Sequence, residues 1–186
     1  MEITRTLYAA DRDAWRAWLA ENYRTEKEIW LVYPRKHTGR PRIPYADAVE
    51  EALCFGWIDS TQKTLDDDHT AQRYTPRRPG VAYSQTNQER LRRMIAQGKV
   101  LPEVRESLGD LLDRPFQVPP DILAALQADE QAWAHLQRWP EAYLRIRVAF
   151  VDYARDDPEE FRKRLRNLIA KSRQGKQYGF GIEAFY

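Results

Sequence analysis

The sequence is short of cysteine and of excess charge. Cys54 is the single cysteine among 186 residues, so no disulfide can form within the chain and nothing requires an oxidising compartment. Lys and Arg number 30 and Asp and Glu number 28, which leaves a net charge of +2. This balance by itself neither favours nor excludes nucleic acid as a partner, because only the distribution of the charges can decide that question.

Long hydrophobic runs are also absent. No window approaches the ~20 apolar residues of a membrane-spanning helix, and residues 1–6 show no basic stretch followed by an apolar run. We therefore predict no membrane span and no signal peptide, and we expect a cytoplasmic location. The three histidines, His37, His69 and His135, are scattered without a metal-binding spacing, so we predict no metal and no cofactor.

The region before residue 114 mixes the patterns of helices and strands. Caps, prolines and glycines mark its helix ends, and β-branched and aromatic residues mark its strands. The predicted elements are a helix from Asp11, a strand over 28–33, a helix from Pro44 to Gly56, a β-hairpin over 57–75 and a helix from Ser84 or Thr86. This order predicts an α+β fold in which a small antiparallel sheet packs against helices.

The last third of the chain is patterned as helix throughout. Residues 114–120 are the only linker-like stretch, and helix starts follow at Asp121, Asp129, Pro140 and Asp157. We therefore predict an α+β region over residues 1–114 and a helical C-terminal region over residues 119–186, packed together as one body.

Trp57 and Asp59 follow the glycine that ends the second predicted helix. A carboxylate at a junction between a helix and a strand can act as a general base, or it can orient the amine or hydroxyl of a ligand. The commoner use of such an aspartate is to cap a turn or to pair with a nearby arginine. Both interpretations are open at this point.

Tyr74, Arg77 and Arg78 lie just before the predicted helix whose first turn carries Asn87. Two arginines ahead of a helix N-terminus are suited to holding an anion, because the backbone N–H groups and the helix dipole favour negative charge there. No glycine-rich phosphate-binding motif accompanies them. The alternative is an ordinary capped helix with solvated arginines.

A basic segment spans residues 161–178, which include seven Lys and Arg residues and no acid. Phe161, Leu165 and Leu168 give it an apolar face. Such a helix can bind phosphates or an acidic protein, but a packed terminal helix with a solvated face is the commoner arrangement. We do not favour nucleic acid as the partner.

Residues 45–59, with the sequence YADAVEEALCFGWID, are similar to a signature of the bacterial YdeI/OmpD-associated proteins, also called bacteriocin-protection proteins. Residues 74–78 resemble the next block of that family, and residues 83–90 resemble a third. The helical region over 119–175 resembles its C-terminal part more loosely. On this resemblance the chain is identified as a member of the family.

The third block departs from the family pattern at two positions. Tyr83 stands where the family usually has tryptophan, and Val81 stands where it has serine, so a ring is retained but a hydroxyl is lost. The resemblance implies a link to envelope stress or bacteriocin protection, without a settled biochemical activity. The polar and aromatic residues that it singles out are Trp57, Asp59, Tyr74, Arg77, Arg78, Asn87 and Arg90.

These residues favour a small-ligand-binding or regulatory module. Trp57 and Tyr74 would stack on a small anionic or aromatic ligand, and Arg77 and Arg78 would hold its negative group. Asp59, Asn87 and Arg90 would complete the site. The alternatives are an enzyme that uses Asp59 as general base with arginine stabilisation, and a module that binds an acidic protein or nucleic acid through its basic helix.

Overall fold

The computed structural model describes residues 2–186, and the chain divides into two compact units. The first comprises the described residues up to Tyr83 together with Arg90–Leu112. The second comprises Ser84–Glu89 together with Asp113–Tyr186. The predicted boundary between residues 114 and 119, and the packing of the two parts as one body, stay predictions.

A four-stranded sheet forms the frame of the first unit. Its strands are β1 (Thr6–Tyr8), β2 (Ile29–Pro34), β3 (Trp57–Thr64) and β4 (His69–Pro76), in the order β1-β2-β4-β3. The β2–β4 and β4–β3 pairs are antiparallel, so the α+β fold and the β3–β4 hairpin are as predicted. Strand β1 was not predicted, and it pairs with β2 in parallel.

The first three helices in chain order are α1 (Arg12–Asn22), α2 (Tyr45–Cys54) and α3 (Gln85–Ala96), and a short α4 (Pro102–Ser107) follows. Asp11 caps α1 by accepting a hydrogen bond from the backbone N–H of Ala14, at 2.9 Å. Trp15 of α1 is fully buried and its indole N–H donates to the carbonyl of Ala48 in α2, at 3.0 Å. The two helices thereby share the apolar core of the first unit.

The second unit contains four helices, α5 (Pro120–Gln127), α6 (Glu130–Leu136), α7 (Glu141–Asp152) and α8 (Pro158–Arg173). Asp129 caps α6 and Asp157 caps α8 through side-chain hydrogen bonds, as predicted. The predicted cap at Asp121 is wrong, because α5 begins at Pro120 and Asp121 lies in its first turn. The apolar faces of the four helices meet in a core formed by Ile122, Leu126, Leu136, Val148, Val151 and Leu168.

The aromatic C-terminal tail folds back onto the second unit. Ile182 and Phe185 are buried against Tyr143 and Ile146 of α7. The hydroxyl of Tyr143 accepts a hydrogen bond from the backbone N–H of Tyr178 at 3.1 Å. The tail is therefore a packed part of the second unit.

Candidate functional site

Three of the predicted site residues, Asp59, Tyr74 and Arg90, belong to one polar cluster in the first unit. The hydroxyl of Tyr45 donates to Oδ2 of Asp59 at 2.7 Å, and the hydroxyls of Tyr33 and Tyr74 lie 3.2 Å apart. Arg90 is 5% exposed and interacts electrostatically with Tyr45, Asp59 and Tyr74. These five residues are called the tyrosine cluster below.

Burial dominates the electrostatics of the tyrosine cluster. It raises the pKa values of Tyr33, Tyr45 and Tyr74 above their usual range, and the nearby Asp59 carboxylate raises them further. Burial also lowers the pKa of Arg90, against the opposing effect of Tyr45. The tyrosines therefore stay protonated at neutral pH, and the Tyr45 hydroxyl can donate its hydrogen bond to Asp59.

Strand β3 is irregular directly after Asp59. Its register against β4 shifts between Asp59 and Gln62, and the side-chain amide of Gln72 donates to the carbonyl of Ser60 at 3.0 Å. Such irregularities re-aim side chains and occur often beside functional sites. The shift ends regular pairing next to the one carboxylate of the cluster, which is half-buried.

Trp57 and Arg77 make packing contacts within the first unit. Trp57 is 1% exposed, and its indole N–H donates at 3.1 Å to a carbonyl just after α1. Arg77 donates to the carbonyl of Val81 at 2.7 Å, and its guanidinium carbon lies 3.6 Å from the ring centre of Tyr83. Arg78 is exposed. Their predicted roles in holding a ligand stay predictions.

Asn87, the remaining predicted residue, belongs to the second unit. Its backbone N–H donates to the hydroxyl of Ser84 at 3.3 Å. Ser84 therefore caps α3, which decides between the two predicted starts of this helix in favour of Ser84 over Thr86.

Two adjacent glutamates that the sequence analysis did not single out lie at the centre of an ionic network in the first unit. Glu50 and Glu51 are each 1% exposed. Glu50 pairs with Arg12 at 2.8 Å and with Arg93, and Glu51 pairs with Arg12 and with Arg16, the latter at 2.5 Å. Burial alone would lower the pKa of Arg12, but its hydrogen bonds to the glutamates prevail and raise it. Because both carboxylates are fully engaged, the network holds the fold rather than serving a ligand.

A groove of about 540 Å³ opens in the second unit. Its apolar wall is formed mainly by Phe116, Ile146, Ala149, Phe150 and Tyr153, and the first turn of α3 supplies polar groups from Ser84, Gln85 and Thr86. Two of the wall rings are unusually exposed for their size, Phe150 at 43% and Tyr153 at 87%. The groove thus combines ring surface that faces solvent with hydroxyl and amide groups.

Both charged residues that line the groove already have partners. Arg164 donates to Glu160 and to the carbonyl of Phe150, each at 2.9 Å. Asp152 accepts a hydrogen bond from Arg155. The groove therefore offers no uncompensated charge to a ligand.

The basic residues of α8 are partly neutralised. Glu160 pairs with Lys163 and with Arg164 at 2.9 Å, and Arg173 pairs with Asp129 of α6. Phe161 and Leu165 pack against the core of the second unit, and Leu168 is part of it. The helix is thus a packed element whose remaining cations lie on its outer face.

Two family models match the chain. Residues 7–107 match a model described as a domain of unknown function (DUF8412), and residues 115–175 match a model described as Bacteriocin-protection, YdeI or OmpD-Associated. The chain therefore contains a YdeI/OmpD-associated domain over residues 115–175. The predicted family is confirmed, although the matching residues are those of the looser resemblance, and the block at 45–59 falls within the other model. No curated protein and no solved structure matches the chain.

The YdeI/OmpD-associated domain contributes most of the groove, since Phe116, Ile146, Phe150 and Arg164 all lie within its match. Among residues 2–186, no helix has the length and apolar character needed to cross a bilayer. The same described residues contain no group of three or more His, Cys, Asp or Glu side chains placed to hold a metal ion.

Proposed function

We propose that this chain is a cytoplasmic small-ligand-binding module, and that the groove of the YdeI/OmpD-associated domain binds the ligand. The observation that carries the proposal is the groove itself. Its volume of about 540 Å³ falls in the range of roughly 300–1,000 Å³ found for small-molecule sites, which are also mostly apolar with a few placed polar groups.

The chemistry of the wall favours a ring-bearing ligand without net charge. Phe116, Phe150 and Tyr153 present aromatic surface, whereas the two lining charges, Arg164 and Asp152, are paired with other residues. A charged group in the groove would have to break one of these pairs. Hydroxyl or carbonyl groups of the ligand would instead meet the polar side chains at the start of α3. Of the two ligand types expected from the sequence, anionic and aromatic, the groove therefore favours the aromatic type.

A ligand-dependent regulator would suit the role in bacteriocin protection that the family name carries. A partner protein can detect that a small module has bound its ligand only if the module's exposed surface changes. The rings of Phe150 and Tyr153 would be covered by a ligand, so a protein partner that reads them would sense occupancy.

A filled groove provides the test. Ala149 is a half-buried wall residue on α7, and Ala149→Trp would place an indole in the groove. Ala170→Trp makes the same change at an exposed position of α8 away from the groove. We would screen uncharged aromatic metabolites by saturation-transfer NMR with the full chain. Compounds that bind the wild type and the Ala170→Trp variant but not the Ala149→Trp variant support the proposal.

A screen in which no uncharged aromatic compound binds, or in which the Ala149→Trp variant binds as the wild type does, would reject the groove as the site. Melting curves of both variants would confirm that each remains folded before binding is compared.

The tyrosine cluster favours a second candidate function, an enzyme with Asp59 as general base. Asp59 is half-buried beside a strand irregularity and accepts a hydrogen bond from Tyr45 at 2.7 Å. A base needs a substrate proton within hydrogen-bond reach, and Tyr45 occupies one oxygen only. Turnover of any compound in a metabolite mixture, followed by mass spectrometry, should be lost in Asp59→Asn and retained in Asp156→Asn, the same change at an exposed position. Unchanged turnover in Asp59→Asn would remove this candidate.

A further inference from the structure

Arg147 is a buried cation in the helical unit without a carboxylate partner. It lies on α7, is 5% exposed, and forms no salt bridge with any of residues 2–186. Arg145, two residues earlier on the same helix, pairs in the ordinary way with Glu89 at 2.7 Å. Buried charges in proteins are normally paired, so Arg147 is an exception that requires an explanation.

Aromatic rings are the groups that face the guanidinium of Arg147. Its central carbon lies 3.9 Å from the ring centre of Tyr178 and 4.6 Å from that of Phe150. Rings attract a cation through their faces, but they accept no in-plane hydrogen bonds from the guanidinium N–H groups. The rings therefore compensate part of the charge and leave the donors unsatisfied.

The unsatisfied donors lie on one edge of the guanidinium. Nε and Nη2 of Arg147 are buried and have no hydrogen-bond partner. In the planar guanidinium group these two nitrogens direct parallel N–H bonds to the same side, which is one of the edges that bind a carboxylate through two hydrogen bonds. The hydroxyl of Tyr178 is likewise buried without a partner.

The C-terminal tail closes this region from one side. Nη1 of Arg147 lies 3.3 Å from the position that a Cβ atom at Gly179 would take, and Ile182 lies closer still. Tyr178 is held by the hydroxyl of Tyr143, which accepts from its backbone N–H at 3.1 Å. The tail thus lies against Nη1, and its Tyr178 ring covers the guanidinium face next to the free Nε–Nη2 edge.

We propose that the Nε–Nη2 edge of Arg147 binds the carboxylate of a small organic acid beside the ring of Tyr178. A single cation matches a carboxylate in charge, whereas a phosphate dianion would bring uncompensated negative charge into an enclosed site. The planar carboxylate also fits the two parallel donors. Arg147 does not line the groove, although Phe150 contacts both, and its site takes an anionic rather than an uncharged ligand, so the inference goes beyond the proposed function.

The test uses the full chain with 15N-labelled arginine. The Nε–H signal of Arg147, identified by its loss in Arg147→Lys, is followed during titration with sodium acetate, propionate or benzoate at constant ionic strength set by chloride. We expect a saturable downfield shift of this signal with at least one acid, and none with chloride or phosphate alone. Acetyl-alanyl-alanine represents a peptide C-terminus, and a shift with this peptide but not with the free acids would overturn the assignment to a small acid.

Melting temperatures supply an independent readout. The wild type and an Arg166→Met control, changed at an exposed position of α8, should gain several degrees in the acid that saturates the NMR signal. Arg147→Met should gain nothing, and in chloride it should melt no lower than the wild type, because it removes an uncompensated buried cation. Ala149→Trp should keep the response, which separates this site from the groove.

The absence of a saturable shift with every acid would overturn the proposal. So would an Arg147→Met variant that responds to the acid as the wild type does, or one that melts well below the wild type in chloride. That last result would mean that the rings alone stabilise the guanidinium.

Discussion

The two units of this chain differ in how their buried arginines and glutamates are paired. In the first, Glu50 and Glu51 are buried and saturated by arginines from α1 and α3. In the second, Glu89 is likewise buried and pairs with Arg145, but Arg147 is buried against aromatic rings with no carboxylate partner among the described residues, and the pair between Asp121 and Arg155 is exposed. The first unit surrounds its two buried glutamates with arginines, whereas the second leaves Nε and Nη2 of Arg147 without partners and has an open groove.

This difference separates stability from binding capacity. A saturated network has no donors or acceptors left for a ligand. Removing one partner leaves the other charges buried without compensation, which lowers the free energy of unfolding. An unsaturated donor edge or an unfilled groove lowers the stability of the ligand-free protein. A ligand that binds there raises the free energy of unfolding again. The contrast therefore predicts large stability losses from changes in the first unit and ligand-dependent stability in the second.

The largest effect is expected from Glu51→Ala. The change leaves Arg12 and Arg16 without a shared buried acceptor and should lower the free energy of unfolding by about 3 kcal/mol. Urea unfolding followed by circular dichroism would measure it. Glu51→Gln keeps the shape and some hydrogen bonds, so its loss should be smaller.

Glu103→Ala is the matched control for this prediction. Glu103 pairs with Arg24, but both side chains are largely exposed, at 47% and 74%. Its removal should change the unfolding midpoint little. Equal losses in Glu51→Ala and Glu103→Ala would show that burial adds nothing to the network, and the contrast between the two units would fail.

The next effect is expected from Gly179→Ala in the tail. Gly179 has φ of +139°, and a Cβ atom there would lie 2.5 Å from Cδ1 of Ile182. The tail should undock at a cost of about 2 kcal/mol, which corresponds to roughly thirty-fold faster hydrogen exchange at the amide of Phe185. Gly109→Ala, at φ of +52° with nothing within 4 Å, should leave that exchange rate unchanged.

Much of the fold could be predicted because its signals are local. Asp11, Asp129 and Asp157 cap helices within three residues of themselves, and the β3–β4 hairpin joins neighbouring strands. Strand β1 could not be predicted, since its three residues are ordered by pairing with β2, more than twenty residues away.

The site was less accessible to prediction because its determinants are distant in sequence. Glu50 and Glu51 lie between the apolar pairs Ala48-Val49 and Ala52-Leu53 of α2, a pattern that indicates buried acids. Their arginine partners lie 35 to 43 residues away, so the network itself was invisible. Arg147 likewise lies within the largely apolar stretch of α7, which suggests burial. That it lacks a carboxylate partner could not be predicted, because this depends on which residues the fold brings near it.

A smaller effect is expected within the tyrosine cluster. Tyr74→Phe removes one of two hydroxyls that lie 3.2 Å apart in the core and leaves that of Tyr33 without its partner. The free energy of unfolding should fall by about 1 kcal/mol. The double variant Tyr33→Phe/Tyr74→Phe should recover most of this loss, because no buried hydroxyl is then left unpaired. A double variant that loses the sum of both single losses would contradict this interpretation.

The smallest effect is expected at the ion pairs of the second unit, and it depends on pH. The hydrogen bond from Arg173, together with that from the backbone of Ala132, lowers the pKa of Asp129 below its usual value. A carboxyl with a lowered folded-state pKa stabilises the fold above its unfolded pKa, and this stabilisation is lost as the pH falls through the folded value. Asp129→Asn keeps an acceptor for the helix cap but removes the charge.

The melting temperature of the wild type should therefore fall more between about pH 6 and about pH 3 than that of Asp129→Asn. The exposed Asp156, changed to Asn, should leave the wild-type dependence intact. If Asp129→Asn and the wild type lose the same amount, the pair between Asp129 and Arg173 contributes nothing to stability. A partly exposed pair of the second unit would then differ from the buried ionic network of the first, in which the loss of one partner is costly.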